Sequence, residues 1–196
     1  MKSFEDCFHL QFSPVEIDGL ADRYPDDDSP ALNAGRRIAG GDYRRANLDI
    51  IFHWKTKGRG KSRLLHNTDT EIEEALRLAA RASTERAAMA VLCGLDGVDV
   101  PVASAILTAI DPQRYTVIDF RALESLGTKC STVTLGFYLA YLKHCRELAT
   151  QHEVSLRTLD RALWQWSSER KPLGASIKQV EAQSEKRFHE RRRLTG

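Results

Sequence analysis

The chain has 196 residues, 42% hydrophobic and 29% charged, which supports a buried core and excludes a disordered or low-complexity polymer. No apolar run approaches the roughly 20 residues that span a bilayer, and acidic side chains in MKSFEDCFHLQF stand where a secretion signal would be apolar, so the expectation is a soluble, cytoplasmic protein with no membrane partner. The formal net charge of +2 hides a strong segregation: residues 1–33 carry two basic and eight acidic side chains (−6), residues 34–63 nine and two (+7), residues 64–168 ten and thirteen (−3), and residues 169–196 eight and four (+4).

Almost every segment reads as helix. Ser13-Pro14 and Ser29-Pro30 have the form of an N-cap followed by a first-turn proline, each opening a short helix, and Gly40-Gly41 closes the second. Asp42 is then the expected cap of a helix running to about Lys55. Gly58 and Gly60 break the chain into the basic loop KTKGRGKSR, and Asp69 opens TEIEEALRLAARA, where Ile72, Ala75, Leu76 and Ala79 recur at helical spacing. A helix is expected from Ser83 to Cys93, another over Pro101–Ile110 and a third over Phe120–Leu126. The pattern continues with a long helix over about Thr132–Gln151, an amphipathic one over Leu156–Ser167, and a charged one over residues 175–192. The one β-branched patch, Tyr115 to Ile118, is too short for a sheet. The fold class is all-α, read as one domain over 1–196: acidic and basic helices in 1–63, a core in 69–167 and a basic helix in 175–196.

Cys7, Cys93, Cys130 and Cys145 are scattered without a Cys-x-x-Cys pair, which argues against a zinc ribbon, an iron–sulfur cluster or a redox dithiol. His53 and His66 lack partners at metal-ligand spacing, so no metal is expected.

Residues 95–126, the stretch LDGVDVPVASAILTAIDPQRYTVIDFRALESL, carry the most specific pattern: a tight turn at Leu95-x-Gly97-Val98, Pro101 opening a helix, the small residues Ala103, Ser104 and Ala105, and Val117-Ile118-Asp119 before a further helix. This order resembles the helix-hairpin-helix DNA glycosylases related to endonuclease III and the 8-oxoguanine glycosylases. Their hairpin reads Leu-Pro-Gly-Val-Gly-x-Lys-x-Ala, with an essential aspartate 18 or 19 residues after the lysine. Here Asp119 follows Pro101, at the lysine position, by 18 residues. The resemblance implies a helical fold of two lobes with a cleft between them. It also implies DNA as partner, base excision repair as setting, and no small-molecule cofactor beyond a monovalent cation held by hairpin carbonyls.

The same resemblance assigns roles. Asp119 is the expected catalytic carboxylate, stabilising positive charge on the deoxyribose or orienting a water. Backbone at Gly97, Val98, Asp99 and Val100 is the expected phosphate clamp. Lys55, Lys57, Arg59, Lys61 and Arg63 supply the electrostatic footprint, joined by the basic tail. Trp54, Tyr115, Phe120 and Trp164 are the candidate walls for a base taken out of the stack. Arg121 is placed to approach a phosphate or to pair with Asp119, and Lys55 is a candidate amine nucleophile from outside the hairpin.

Two departures shape the functional expectation. Pro101 in place of the hairpin lysine removes the usual Schiff-base chemistry, pointing to a monofunctional glycosylase, a hydrolase that removes a base and leaves an abasic site. Asp99 stands for the second hairpin glycine; aspartate tolerates a left-handed backbone, but its charge opposes a phosphate. The alternatives are a non-catalytic DNA-binding module on the same scaffold, and an interaction or toxin-type role for the fold alone.

Overall fold

A computed structural model describes residues 7–128 and 132–170 of the chain. Among them the chain is all-α, with ten helices and no strand. A 3-10 turn at Pro14–Glu16 leads into α1 (Ile17–Asp22), followed by α2 (Ser29–Ala39), α3 (Arg45–Thr56), α4 (Lys61–Leu64) and α5 (Asp69–Arg81). The rest are α6 (Glu85–Leu92), α7 (Val100–Ile110), α8 (Phe120–Ser125), α9 (Leu135–Gln151) and α10 (Leu156–Glu169). The charged helix expected over 175–192, and the basic tail with it, lie outside the described residues.

Local signals explain most helix starts, with several shifts by one residue or more. The structure caps α2 at Asp28 rather than Ser29 and places Pro30 in the first turn. It caps α5 at Thr68, whose hydroxyl and Glu71 carboxylate form a capping box, so Asp69 is the first helical residue. It caps α6 at Thr84 rather than Ser83. The helix expected from Asp42 begins at Arg45, because the Asp42 carboxylate accepts from the Arg44 guanidinium instead of from the helix's first N–H groups.

Helix α7 is the centre of the molecule. Every residue from Val102 to Ala109 is buried, as expected of a helix that is apolar all round. α2 and α3 pack on it, and the α2 crossing is closed by Gly35, where an added Cβ would stand 1.8 Å from the Ala109 carbonyl oxygen. On the other side α10 packs against α1, α8 and α9. α1 is too short to persist alone; it is held by Ile17 and Leu20, at 1% and 2% exposure, each contributing about 1.5–3 kcal/mol of burial. The N-terminal segment runs beside α8, with His9 and Gln11 N–H groups donating to Leu126 and Ser125 carbonyls. It inserts Phe8 against Phe137 and Tyr141 of α9, and Phe12 against Trp166 of α10.

Candidate functional site

The approach to Asp119 is built by three hydroxyls. The Ile118 N–H donates to Ser104 Oγ on α7 at 3.1 Å, while from α9 the Tyr138 and Tyr141 hydroxyls donate to the Thr116 and Val117 carbonyls at 3.2 and 2.8 Å. The irregular segment 115–118 is thus pinned by fully buried side chains from α7 and α9. Asp119 follows as the N-cap of α8: its Oδ1 accepts the N–H groups of Arg121 and Ala122, both at 3.0 Å. Oδ2 is left for other work. It faces Lys55 Nζ at 3.4 Å, and the same amine donates to the Ile118 carbonyl at 3.3 Å. The two side chains come from helices 64 residues apart and are only 14% and 24% exposed. One carboxylate oxygen therefore serves the fold and the other faces a cleft.

That cleft has a volume of about 300 Å³, at the small end of the range for ligand pockets. Trp54, Phe120 and Trp164 line it as the sequence suggests, together with Tyr24, which sequence reasoning missed. Arginines alternate with these rings. The Arg121 guanidinium lies over Phe120 and Trp164, at 5.0 and 4.9 Å from the ring centroids, and Arg157 lies over Tyr24 and Trp54, each at 5.3 Å. The Arg121 side chain is thus committed to aromatic faces, and Asp119 meets only its backbone N–H. Phe120, 71% exposed, forms the rim of the cleft rather than an enclosed wall. Tyr115 is a correction: at 3% exposure it belongs to the core, beneath Arg114, and does not line the cleft.

The floor of the cleft comes from α10, where Arg157, Asp160 and Trp164 recur at helical spacing. Asp160 is fully enclosed and accepts from the Arg157 guanidinium. Burial pushes its carboxyl up to about 6, with the Asp119 charge adding to the rise and Arg157 opposing it. Arg157 is anchored in turn by Asp28, which also accepts from Arg161, tying α10 to the start of α2. Burial raises the Asp28 carboxyl, but the hydrogen bonds and charges of Arg161 and Arg157 outweigh it and hold the group below its ordinary value. The signal for Asp160 was in the sequence: an acidic residue on the apolar face carried by Leu156, Leu159 and Leu163.

A second concavity of about 560 Å³ runs along the hairpin and shares Lys55 and Arg59 with the cleft. Its walls include Arg63, Gly97, Asp99 and Pro101. Gly97 has φ +83° and lies so close to α4 that a Cβ there would meet the Leu64 nitrogen at 2.9 Å, so only glycine fits. Asp99 departs from the left-handed reading: its backbone is extended (φ −91°, ψ 177°), and its carboxylate caps α7 by accepting the Val102 N–H at 3.0 Å. A side-chain anion therefore already takes one of the N–H groups a phosphate would use. The Val98 side chain lines this groove yet is buried, while Val100 is half-buried in the first turn of α7. Lys57, Arg59, Lys61 and Arg63 are all exposed; Lys57 lines the cleft and pairs with Asp26, and Lys61 lies outside both concavities. Two hairpin carbonyls, Leu95 and Asp96, accept from the Val98 N–H and the Asn67 amide.

No group of three or more potential metal ligands occurs among the described residues, and no helix among them is long and apolar enough to cross a membrane. No family model, curated protein or solved structure matches the chain, so the resemblance rests on residues 95–126 alone.

Proposed function

We propose that the chain is a DNA glycosylase of the helix-hairpin-helix kind, hydrolysing the N-glycosidic bond of a damaged or modified base. The observation that carries this reading is the convergence of Asp119 and Lys55 in an aromatic-walled cleft that opens beside the hairpin groove. In this reading α1 with α8–α10 forms one lobe and α2–α7 the other, and the cleft lies where the end of α3 meets α8 and α10. Phosphates run along Arg59, Arg63 and the hairpin, a base enters between Trp54 and Trp164, and Oδ2 of Asp119 meets C1′ as positive charge develops there. Water completes the hydrolysis, activated by the same carboxylate. The reaction needs no cofactor.

The test is a panel of duplexes carrying oxidised, alkylated and deaminated bases, treated with alkali after incubation to reveal abasic sites. Base release is expected from at least one, falling at least about 100-fold in Asp119→Asn, because a positioned general acid or base contributes about 10²–10⁴-fold. Asparagine caps a helix as well as aspartate, so the variant should still fold, with its melting lowered only by loss of the part-buried pair with Lys55. A second reading, a DNA-binding module without turnover, is favoured by Lys55, Arg59 and Arg63 along the hairpin groove, which would hold phosphates whether or not Asp119 acts. It predicts salt-sensitive binding with no alkali-labile product from any duplex. A protein that neither binds nor cuts refutes both.

A further inference from the structure

A hydrogen-bond acceptor lies at the bottom of the cleft without a donor among the described residues. Asp160 is only 5% exposed and lines the cleft from α10. Its Oδ2 accepts from the Arg157 guanidinium. Its Oδ1 accepts from no group among the described residues and is not one of their sealed orphan atoms, so the small opening that Asp160 has is at this oxygen, into the cleft. A buried carboxylate oxygen without a donor is costly, and a ligand that brings an N–H group removes the cost. The other two carboxylates of the cleft are placed differently. Asp119 commits Oδ1 to the α8 cap and Oδ2 to Lys55, while Asp26 pairs with Lys57 on a side chain 35% exposed, where water reaches it.

We infer that Asp160 reads the edge of the extruded base, and that the cleft takes bases that keep an exocyclic amino group in preference to their deaminated counterparts. The inference rests on the glycosylase reading for the presence of a base in the cleft. With the ring between Trp54 and Trp164 and C1′ at Asp119, the edge remote from the sugar meets the α10 floor, where Asp160 stands between Arg157 and Trp164. An amino group there donates to Oδ1, as cytosine N4 donates to carboxylates elsewhere. A carbonyl in its place turns lone pairs toward a carboxylate and leaves Oδ1 unpaired. Discrimination then comes from an unsatisfied buried group rather than from shape. The surroundings of Asp160 set when it can accept. Burial raises its carboxyl to about 6; Arg157 on its own helix and Lys55 from α3 oppose the rise, and Asp119 at the start of α8 adds to it. Toward α9 it faces the Tyr141 phenol and the Cys145 thiol, both held neutral by burial. Asp160 is therefore an acceptor at about pH 8 and, protonated on Oδ1, a donor at about pH 5.

The experiment measures binding by the full wild-type chain, using fluorescence anisotropy at fixed low salt. Each duplex holds one 2′-fluoro test nucleotide, whose fluorine opposes positive charge at C1′ so that no base is released. The test base lies opposite an abasic-site analogue, which removes pairing as a variable. The members of each pair exchange an amino group for a carbonyl: cytosine and uracil, 5-hydroxycytosine and 5-hydroxyuracil, 8-oxoadenine and 8-oxohypoxanthine. At about pH 8 the amino member of at least one pair should bind at least about 10-fold tighter, the ratio expected of a hydrogen bond to a charged group. Asp160→Asn should invert that preference, because Arg157 holds the amide oxygen and leaves the amide N–H groups facing the cleft as donors. At about pH 5 the wild type should lose its preference as well, a measurement that stands even where the variant does not fold. Equal affinity for the members of every pair, in a chain that binds them, overturns the inference. So does a preference that folded Asp160→Asn keeps, or one that acid leaves intact. In each of those cases base release in the panel above still decides the glycosylase reading by itself, whereas a chain that binds no duplex removes both.

Discussion

Replacing Asp28 by asparagine removes the charge that holds α10 to the rest of the molecule while keeping the side chain's shape. Asp28 is 2% exposed and accepts from the Nε and Nη2 atoms of both Arg157 and Arg161. Removing one member of a buried ion pair costs about 3–5 kcal/mol, because the partner's charge stays buried. Arg161 is 35% exposed and can turn to water, and Arg157 keeps Asp160, so the lower figure applies, about 3 kcal/mol. For a chain of this size that is a fall of about 6–12 °C in melting temperature. Urea unfolding at pH 7 checks it, with Arg161→Gln and the double variant closing a cycle whose coupling should reach about 1 kcal/mol or more. The sign with pH follows from the direction of the shift. Asp28 is held below its ordinary carboxylate value, so its stabilisation is complete above the unfolded value of 3.8 and is lost as pH falls through the lower folded value. The gap between wild type and variant should therefore close in acid. A loss below about 1 kcal/mol at pH 7, or a gap that persists at low pH, refutes the argument.

Two further outcomes follow from close contacts. Gly35→Ala puts a methyl 1.8 Å from the Ala109 oxygen and should cost more than about 4 kcal/mol in a urea titration, or prevent folding; Gly136→Ala, with nothing within 4 Å, should be neutral or slightly stabilising, and equal effects would refute the crossing. Asp99→Asn keeps the cap on Val102 but removes a charge about 6 Å from a clamped phosphate, worth about 0.7–1.4 kcal/mol at an effective dielectric of about 40–80. DNA affinity by fluorescence anisotropy at fixed low salt should rise about 3- to 10-fold, and no change would mean that phosphates do not approach this turn.

Helices and caps were legible because they are local. Asp119 follows a short apolar run, so its place as a cap can be read from its neighbours, and the box of Thr68 with Glu71 is equally local, although Asp69 beside it competes for the same role. The cleft was only half legible. Lys55 and Asp119 stand 64 residues apart, and no periodicity within α3 or α8 says that they meet. Trp164 is nameable as a wall from the sequence, but Arg157 has no visible partner until Asp28 and Tyr24 arrive from more than 100 residues upstream. For Tyr115 the converse holds: proximity in sequence to Asp119 suggests a place in the cleft, but its ring packs into the core at 3% exposure.

The pairing of α1 with α10 has a consequence for the order in which the molecule is made. During synthesis Ile17 and Leu20 leave the ribosome well over a hundred residues before the surface that covers them. Tyr24, which follows α1, waits just as long for Arg157 and Trp164. Such long-range closure is the slow part of folding. The cleft is therefore among the last features to assemble, and a partly folded chain could hold α7 and the hairpin groove in place while still lacking the floor on which a base would rest.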